Sequence, residues 1–485
     1  MSSASRFVLI IIAAFAATPA FAGAGSPAPG KPAPSPVSGF TFSNASSASS
    51  SGLVTLPPRP EAVAPAGKPV AGRPASAKAL TLEDCIAVAL RKHPRIKGAR
   101  QDVVAGRFRT LGAASVYFPI IDFGLNANGL ASFFPIGGHN TTFSYDDITW
   151  GFNGSWTLFD FGRTYYSVRS YAELDKALYK TLSSVQQNVV YDVRDAYYSL
   201  LRAQTLVKVA GDTLAQANEH LREAKGFYDT GVKPRYDVTQ AEVGVNNAKV
   251  QVIQAYDAVT QARINLNTTM TVDPMTRTIV VDRPELEPLD KTLEQYLALA
   301  IENRPDIKAL ESQRKAYGLA VKGALAGFMP VISASGAYDW NRLVYPDQPG
   351  VFGTSNYAVG ITVPLFQGFR TVAEVGQARA AALSAKYRVE DSKLGVENDV
   401  ASAYLAAQDA SARIAALKVS VRKAKENLDI AQGRYEAGVG NIIDVTDAQV
   451  QLTQARTDEA QAYYDYHLAY SRLLRSTGAG VMKEQ

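Results

Sequence analysis

The chain has 485 residues, of which 47% are hydrophobic and 20% are charged, and its formal net charge is +5 at pH 7. All of that excess lies in the first 79 residues, where lysines and arginines outnumber acids by five. The rest of the chain is neutral, so the positive charge gives no support to nucleic-acid binding. The single cysteine, Cys85, excludes a disulfide within one chain.

The first 22 residues predict a secretory signal peptide. They carry one charge, Arg6, followed by an apolar run over residues 7–17 and an Ala-Phe-Ala cleavage site at residues 20–22. A retained N-terminal anchor helix is the alternative, although Pro19 interrupts the run. No later stretch has the ~18 consecutive apolar residues that a membrane-spanning helix needs.

Residues 23–79 predict an extended or disordered leader. Eleven of the 24 prolines lie there, among runs of alanine and serine. Such a segment buries too little apolar surface to offset its conformational entropy. We expect the folded body to begin near Leu80 and to leave residues 479–485 as a C-terminal tail.

The body is an internal duplication. Residues 82–94 are matched by residues 293–305, which lie 211 positions further on. Residues 228–232 are matched by residues 435–439 at a shift of 207. Two copies at nearly constant shifts predict one structural unit repeated about a pseudo-symmetry axis. The predicted repeats span residues 80–290 and 291–478.

Each copy contains two stretches of strict apolar and polar alternation, which predict β-strands of about ten residues. The predicted strands cover residues ~119–130, ~146–160, ~331–341 and ~356–366. All three tryptophans lie in these stretches. Length, alternation and aromatic placement are typical of a transmembrane β-barrel with lipid outside and water inside. A half-buried soluble sandwich is the alternative for the strands alone.

Long helices follow each pair of strands. Apolar residues recur in steps of three and four over residues ~163–229 and ~370–436, which predicts coiled-coil seams roughly 100 Å long at 1.5 Å per residue. Returning helices at residues ~235–270 and ~442–475 show the same steps, with many alanines and valines. A short helix at ~95–117 and the first returning helix together nearly match the length of the long helix. The two have the length to stack end to end beside it and form one full-length rung of a helical wall. A solvated coiled-coil spacer is the alternative for the helices alone.

Strands and helices together require several chains. Four strands cannot close a barrel, and lipid tolerates no open sheet edge. The smallest membrane barrels need about eight strands. Several copies must therefore share one barrel, and three copies would supply twelve strands above twelve helical rungs.

The order of these motifs resembles the TolC family of outer-membrane efflux proteins, from Leu80 to about Gly478. The resemblance is carried by the duplicated segments at residues 82–94 and 293–305, the prolines Pro119 and Pro330 before the strands, the strand ends at residues 158–162 and 363–368, and the turns at residues 231–237 and 438–444. The strand ends depart from the family's Asp-Gly-Gly, since they read Asp160-Phe161-Gly162 and Gln367-Gly368-Phe369.

The resemblance implies an α+β membrane protein of known architecture. It implies a homotrimer whose twelve-stranded transmembrane β-barrel lies in outer-membrane lipid and continues into an α-helical barrel of long antiparallel coiled-coil helices in the periplasm. Such proteins are exit ducts of tripartite efflux pumps or type I secretion systems. They receive substrates from an inner-membrane pump of the RND or ABC type, together with a periplasmic adaptor (membrane fusion) protein.

Two other classes compete with the duct. A non-transporting, barrel-anchored spacer of the envelope would share the strands and the seams, and a soluble coiled-coil adhesin would lack the membrane strands. Within the duct class, the resemblance covers both drug efflux and protein secretion.

The resemblance places the functional residues at the periplasmic tip of the helices. Residues expected to contact the adaptor are Gly231, Val232, Asp237, Gly438, Val439 and Gly440. Asp444 and Asp447 resemble the family's entrance aspartates, which in a trimer would form a cation-selective ring of six carboxylates in the pore. The alternative is that both acids only stabilise a helix N-terminus through its dipole.

The two tips are not equivalent in sequence. Asp237 corresponds to Asp444, but Gln240 occupies the position that corresponds to Asp447. We therefore expect one helical hairpin to move against the other on opening. Tyr228 and Tyr435 precede the turns and are candidates for hydrogen bonds between hairpins, with ordinary packing as the alternative.

No catalytic chemistry is predicted. The four histidines are scattered without metal-ligand spacing, and neither a Gly-x-Ser-x-Gly elbow nor a phosphate-binding loop occurs. We expect no enzymatic activity, no cofactor and no metal site.

Overall fold

The computed structural model describes residues 79–136, 139–280, 284–344 and 349–479. The predicted signal peptide, nearly all of the predicted leader and residues 480–485 of the predicted tail lie outside the described residues. The first copy contains α1 (Leu82–Lys92), α2 (Pro94–Ala114), β1 (Ile120–Ile136), β2 (His139–Phe159), α3 (Arg163–Asp229) and α4 (Arg235–Thr269). The second contains α5 (Leu293–Asn303), α6 (Pro305–Leu325), β3 (Val331–Val344), β4 (Pro349–Thr362), α7 (Arg370–Glu436) and α8 (Ile442–Ser476).

The start of each copy is set by the same local chemistry. The hydroxyl of Thr81 accepts a hydrogen bond from the Asp84 backbone N–H at 3.2 Å, and the Asp84 carboxylate accepts one from the Thr81 N–H at 3.3 Å. Thr292 and Gln295 form the equivalent capping box at α5. His93, which precedes Pro94, is extended and ends α1, because a residue before proline is disfavoured in the helical region.

Helices α1, α2 and α4 meet at the middle of α3. Cys85 of α1, Ile96 of α2 and Leu266 of α4 are fully buried there against Val193 and Leu200 of α3. Since α2 continues toward the strands and α4 comes from the opposite end of α3, the two shorter helices share the length of one long partner. Burial of such side chains contributes about 1.5–3 kcal/mol each.

The second copy repeats this arrangement. Ile307, Val400 and Leu473 occupy the positions of Ile96, Val193 and Leu266, and they are buried in their own cluster. An ion pair to the equivalent aspartate recurs as well, as Arg95–Asp192 at 3.2 Å and Arg304–Asp399 at 3.1 Å. The arginines differ in position, since Arg95 corresponds in sequence to Asp306. The duplication seen in the sequence is therefore a duplication of the packing.

The four strands form one antiparallel sheet in the order β1-β2-β3-β4. The two copies join at its centre, where Trp150 of β2 pairs with Trp340 of β3. Apolar side chains on the edge strands are exposed, with Phe123 of β1 at 59% and Tyr357 of β4 at 91%. Within the described residues the strands make a single sheet, so the two-sheet sandwich is not what forms. An exposed apolar face with two unpaired edges is expected of one part of a shared membrane barrel.

The strand boundaries predicted from alternation are corrected by the structure. β1 continues to Ile136 and β2 begins at His139, because their backbone pairing runs without interruption from Ile120↔Ser155 to Ile136↔His139. The amino-acid sequence of this extension has no regular apolar and polar alternation, so the pattern ended before the pairing did. β4 covers Pro349–Thr362 and stops before Pro364, which has no N–H to donate.

The strand-to-helix turns keep one geometry despite their different sequences. Phe161 and Gly162 both have positive φ, at 50° and 95°, and Gly368 and Phe369 have values of 58° and 64°. The order of glycine and phenylalanine is reversed between the copies, yet the pair of left-handed residues is retained. The departure from the family's motif is therefore tolerated at the cost of one strained phenylalanine in each turn.

No helix in the part of the chain that the structure describes is both long enough and apolar enough to cross a membrane.

Candidate functional site

The first tip turn ends α3 at Gly231. Its φ is 73°, and its N–H donates to the Tyr228 carbonyl at 2.9 Å. The Val232 N–H donates to the Phe227 carbonyl, also at 2.9 Å. These are the two hydrogen bonds of a Schellman motif, in which glycine adopts the left-handed conformation without steric cost. Val232 follows this cap and is 62% exposed.

The second turn repeats the motif at the end of α7. Gly438 has φ 77° and donates to the Tyr435 carbonyl at 3.1 Å, and Val439 donates to the Arg434 carbonyl at 3.0 Å. Val439 is 72% exposed. Gly440 lies so close to α7 that an added Cβ would be 2.9 Å from the Tyr435 nitrogen. Only glycine fits this approach.

The structure brings the two hairpins together through Tyr435 and Asp237. The Tyr435 hydroxyl, at the end of α7, donates to the Asp237 carboxylate, at the start of α4, at 2.9 Å. Both residues are buried. The predicted hydrogen bond between hairpins is thus confirmed for Tyr435. Tyr228 is 44% exposed.

Burial and a neighbouring charge keep the donor of this hydrogen bond protonated. Removal from water raises the pKa of the Tyr435 hydroxyl, and the hydrogen bond to Asp237 and the charge of that carboxylate raise it further. The phenol therefore stays protonated at neutral pH and keeps donating. A hydrogen bond to a charged acceptor contributes about 1.5–3 kcal/mol.

Lys233 adds a second link between the turns. Its ammonium donates to the Gly440 carbonyl at 3.3 Å and lies 4.6 Å from the centre of the Tyr435 ring. The sequence pattern did not single out this lysine as a site residue. No local signal identifies it, because both of its partners are about 200 residues away in the chain.

Asp444 and Asp447 lie together on the exposed side of α8, within its first two turns. The opposite side of the same helix is buried, through Ile442, Val445 and Leu452. Asn441 caps the helix, since its side-chain oxygen accepts from the Ile443 N–H at 3.2 Å. The helix N-terminus is thereby capped by Asn441, and the two carboxylates face away from the protein core.

Asp237 and Asp444 correspond in sequence, but the structure places them differently. Each is in the first turn of its helix, yet Asp237 is buried and hydrogen-bonded while Asp444 is exposed. The buried sides of the two helices otherwise correspond, since Ala241 and Val245 of α4 match Ala448 and Leu452 of α8, which are buried as well. Asp237 differs because Tyr435 of the other hairpin contacts it. Asp237 therefore belongs to the link between the hairpins rather than to the exposed surface of the tip.

The described residues contain no group of three or more histidine, cysteine and acidic side chains that could hold a metal ion.

The chain combines one sheet that has an exposed apolar face with two long helical hairpins that end in paired turns. This combination defines the subunit of an outer-membrane channel. The sequence profile of the outer membrane efflux protein family matches residues 85–271 and 296–479, one segment in each copy. The chain belongs to this family. It is an outer-membrane exit duct that extends into the periplasm, and a channel rather than an enzyme.

Relatives and solved structures are similar along most of the chain. The outer membrane efflux protein BepC of Brucella suis is 26% identical over 328 residues, which cover 66% of this chain and 70% of BepC. The alkaline protease secretion protein AprF of Pseudomonas aeruginosa is 25% identical over 427 residues, 84% of this chain and 85% of AprF. The Campylobacter jejuni CmeC outer membrane channel superposes with a TM-score of 0.72 at 17% identity, covering 83% of this chain and 87% of CmeC.

Proposed function

We propose that three copies of the chain form one continuous duct, which receives its substrates at the helical tip from an inner-membrane pump of the RND or ABC type. Two unpaired sheet edges and an exposed apolar face support a barrel completed by identical neighbours. Three chains close twelve strands, whereas one chain supplies four.

The entrance is guarded by Asp444 and Asp447. The observation that carries this assignment is their shared exposure on one side of α8, while the other side of the helix is buried. In a trimer they supply six carboxylates around one axis. A ring of like negative charges attracts cations and delays their passage.

Planar-bilayer conductance tests the ring. In the double variant Asp444→Ala/Asp447→Ala, block of the channel by divalent cations is lost because the ring has no charge. Asp257→Ala removes an exposed carboxylate from α4, outside the tip, and serves as the matched control. Divalent block that persists unchanged in the double variant refutes the assignment of the pore ring.

The paired turns bind the periplasmic adaptor. Val232 and Val439 are exposed apolar side chains at the same position of the two turns, and both are open to contact with a partner protein. Gly231, Gly438 and Gly440 hold the turns in shape, and Asp237 fixes the hairpins relative to each other. The duct and its pump then share one path across the periplasm.

Site-specific crosslinking tests the adaptor contact. Burial raises the pKa of the Cys85 thiol to about 11, with a smaller contribution from Asp84, so the native thiol does not react at neutral pH. Val232→Cys and Val439→Cys can therefore be labelled selectively. Both should crosslink to an adaptor in intact cells, and Val250→Cys, exposed on α4, should not. Equal crosslinking at all three positions refutes docking at the turns.

A further inference from the structure

A cavity of about 650 Å³ lies between α3, α7 and α8, well above the tip. Its apolar wall includes Leu201, Val209 and Ile414. Val280, which pairs with Leu80 in a parallel bridge, lines it as well. The cavity is therefore bounded by both hairpins and by the segment that follows α4.

Three cations from three different helices line this cavity. They are Lys208 of α3, Lys418 of α7 and Arg456 of α8, and the lining contains one acid, Glu459. The lining charges leave a net charge of +2 at neutral pH. Like charges that line one cavity repel each other unless an anion offsets them.

The three cations have no carboxylate partner among the described residues, in contrast to the nearby Arg202. This arginine, two turns before Lys208, pairs with Asp465 at 3.5 Å. Lys208 and Lys418 are exposed and Arg456 is half-buried. Their charged groups are thus free to bind a ligand.

Polar and aromatic groups complete the lining. Gln204 contributes a side-chain amide, which can donate two hydrogen bonds. Tyr464 and Thr205 are held in place by a hydrogen bond of 3.0 Å between their hydroxyls. Tyr463 is anchored by its hydroxyl to the Pro284 carbonyl. These hydrogen bonds fix the positions of the aromatic side chains that line the cavity.

We propose that this cavity binds a soluble phosphate-bearing ligand, with its phosphate held by Lys208, Lys418 and Arg456. A phosphate monoester carries about −1.5 to −2 charge at pH 7, which matches the charge of the lining. The guanidinium fork of Arg456 suits phosphate oxygens, and lysines bind phosphate as point charges. The site is independent of the tip and of the proposed duct entrance.

Distance separates this site from the lipid headgroups. Lys208 follows the first residue of α3 by 45 positions, which corresponds to roughly 68 Å of helix at 1.5 Å per residue. The strands that enter the membrane end just before α3. The cavity is therefore far below the bilayer surface, and a dissolved ligand reaches it more readily than a lipid.

Equilibrium dialysis with radiolabelled inorganic phosphate tests the proposal on the intact detergent-solubilised protein at low ionic strength. We expect one phosphate bound per chain. Lys208→Gln/Lys418→Gln should weaken binding about tenfold or more, since it removes two of the three positive charges of the lining. Lys249→Gln, an exposed lysine on α4, should leave binding unchanged.

A variant that is expected to strengthen phosphate binding distinguishes loss of the ligand site from damage to the fold. Glu459→Gln removes the one acid of the lining and should tighten phosphate binding about threefold. No uptake of phosphate by the unmodified protein, or equal affinity in all variants, overturns the proposal. Binding to vesicles with anionic phospholipid in the absence of phosphate uptake also overturns it, in favour of a lipid site.

Discussion

At the scale of single residues, the tip depends on a few buried contacts between hairpins. Tyr435 and Asp237 are both buried and joined by one hydrogen bond, and Lys233 covers the tyrosine ring. A buried carboxylate that loses its donor pays the full cost of desolvation. These contacts therefore hold the two hairpins together, and the hairpins can separate only when they break.

Tyr435→Phe should loosen the tip. The change leaves the buried Asp237 without this donor, so the contact between the hairpins should weaken by about 1–3 kcal/mol. The measurement is the resting conductance of single channels in planar bilayers, which should rise. Tyr228→Phe alters the equivalent but exposed tyrosine and should leave the conductance unchanged. Equal conductance in both variants would show that the hydrogen bond does not hold the hairpins.

His467 should make the protein sensitive to acid. It is buried against the ring of Tyr198 at 5.0 Å, with Tyr463 and Tyr466 around it. Burial lowers its pKa to about 4, against a smaller opposing effect of the nearby Glu287. As pH falls from about 6.5 to 4, the unfolded chain takes up the proton first, so the free energy of unfolding should fall by roughly 3 kcal/mol.

Thermal unfolding between pH 7 and pH 4 measures this effect. His467→Phe keeps an aromatic ring in the cluster but cannot be protonated, so its melting temperature should depend less on pH over this range. The same slope in both proteins would exclude His467 as the cause.

At the scale of elements, the sheet is held at the junction between the two copies. Gly151 of β2 lies opposite Asp339 of β3, and an added Cβ would be 2.6 Å from the Asp339 Cα. Glycine in a strand often marks such a close approach of another backbone. The pairing of β2 with β3 therefore depends on the absence of a side chain at this position.

Gly151→Ala should impair assembly of the barrel. The new methyl group pushes β2 away from β3, so the amount of folded protein in the outer membrane should drop severalfold. Gly124→Ala is the matched control, because Gly124 is the β1 partner of Gly151 and its nearest neighbour would be 4.0 Å away. The yield of heat-resistant oligomer on gels measures both. A normal yield for Gly151→Ala would show that the strands adjust.

Element boundaries were only partly predictable. The long helices and the four strands could be recognised because their apolar residues repeat with a fixed period. The extension of β1 and β2 toward their hairpin could not be predicted, because those residues pair through the backbone while their sequence has no regular apolar and polar alternation. The early end of β4 was also missed, although Pro364 was visible in the sequence.

At the scale of the whole molecule, a single chain is an incomplete membrane structure. Among the residues that the structure describes, β1 and β4 each pair with one strand only, and apolar side chains such as Val359 and Ile361 are exposed on β4. Unpaired backbone groups cost several kcal/mol each in lipid. Closure by identical neighbours removes both edges at once.

Light scattering of the detergent-solubilised protein should give three times the mass of the mature chain. The 485 residues have a mass of 52.1 kDa, and removal of the predicted signal peptide would make the mature chain smaller. Addition of a denaturant that separates the strands should convert the trimer directly to unfolded chains. A stable, folded monomer in the absence of detergent would contradict the shared barrel.

The sequence by itself determined the duplication, the alternation of strands with long helices, the glycines that end α3 and α7, and the family. These features are local or periodic, and each follows from backbone chemistry within a few residues. Tertiary structure alone decided that Asp237 is buried while Asp444 is exposed, that Lys233 reaches Tyr435, and that three distant cations share one cavity. A helix pattern states which residues share a face, but only packing against a particular neighbour decides which of those faces is covered.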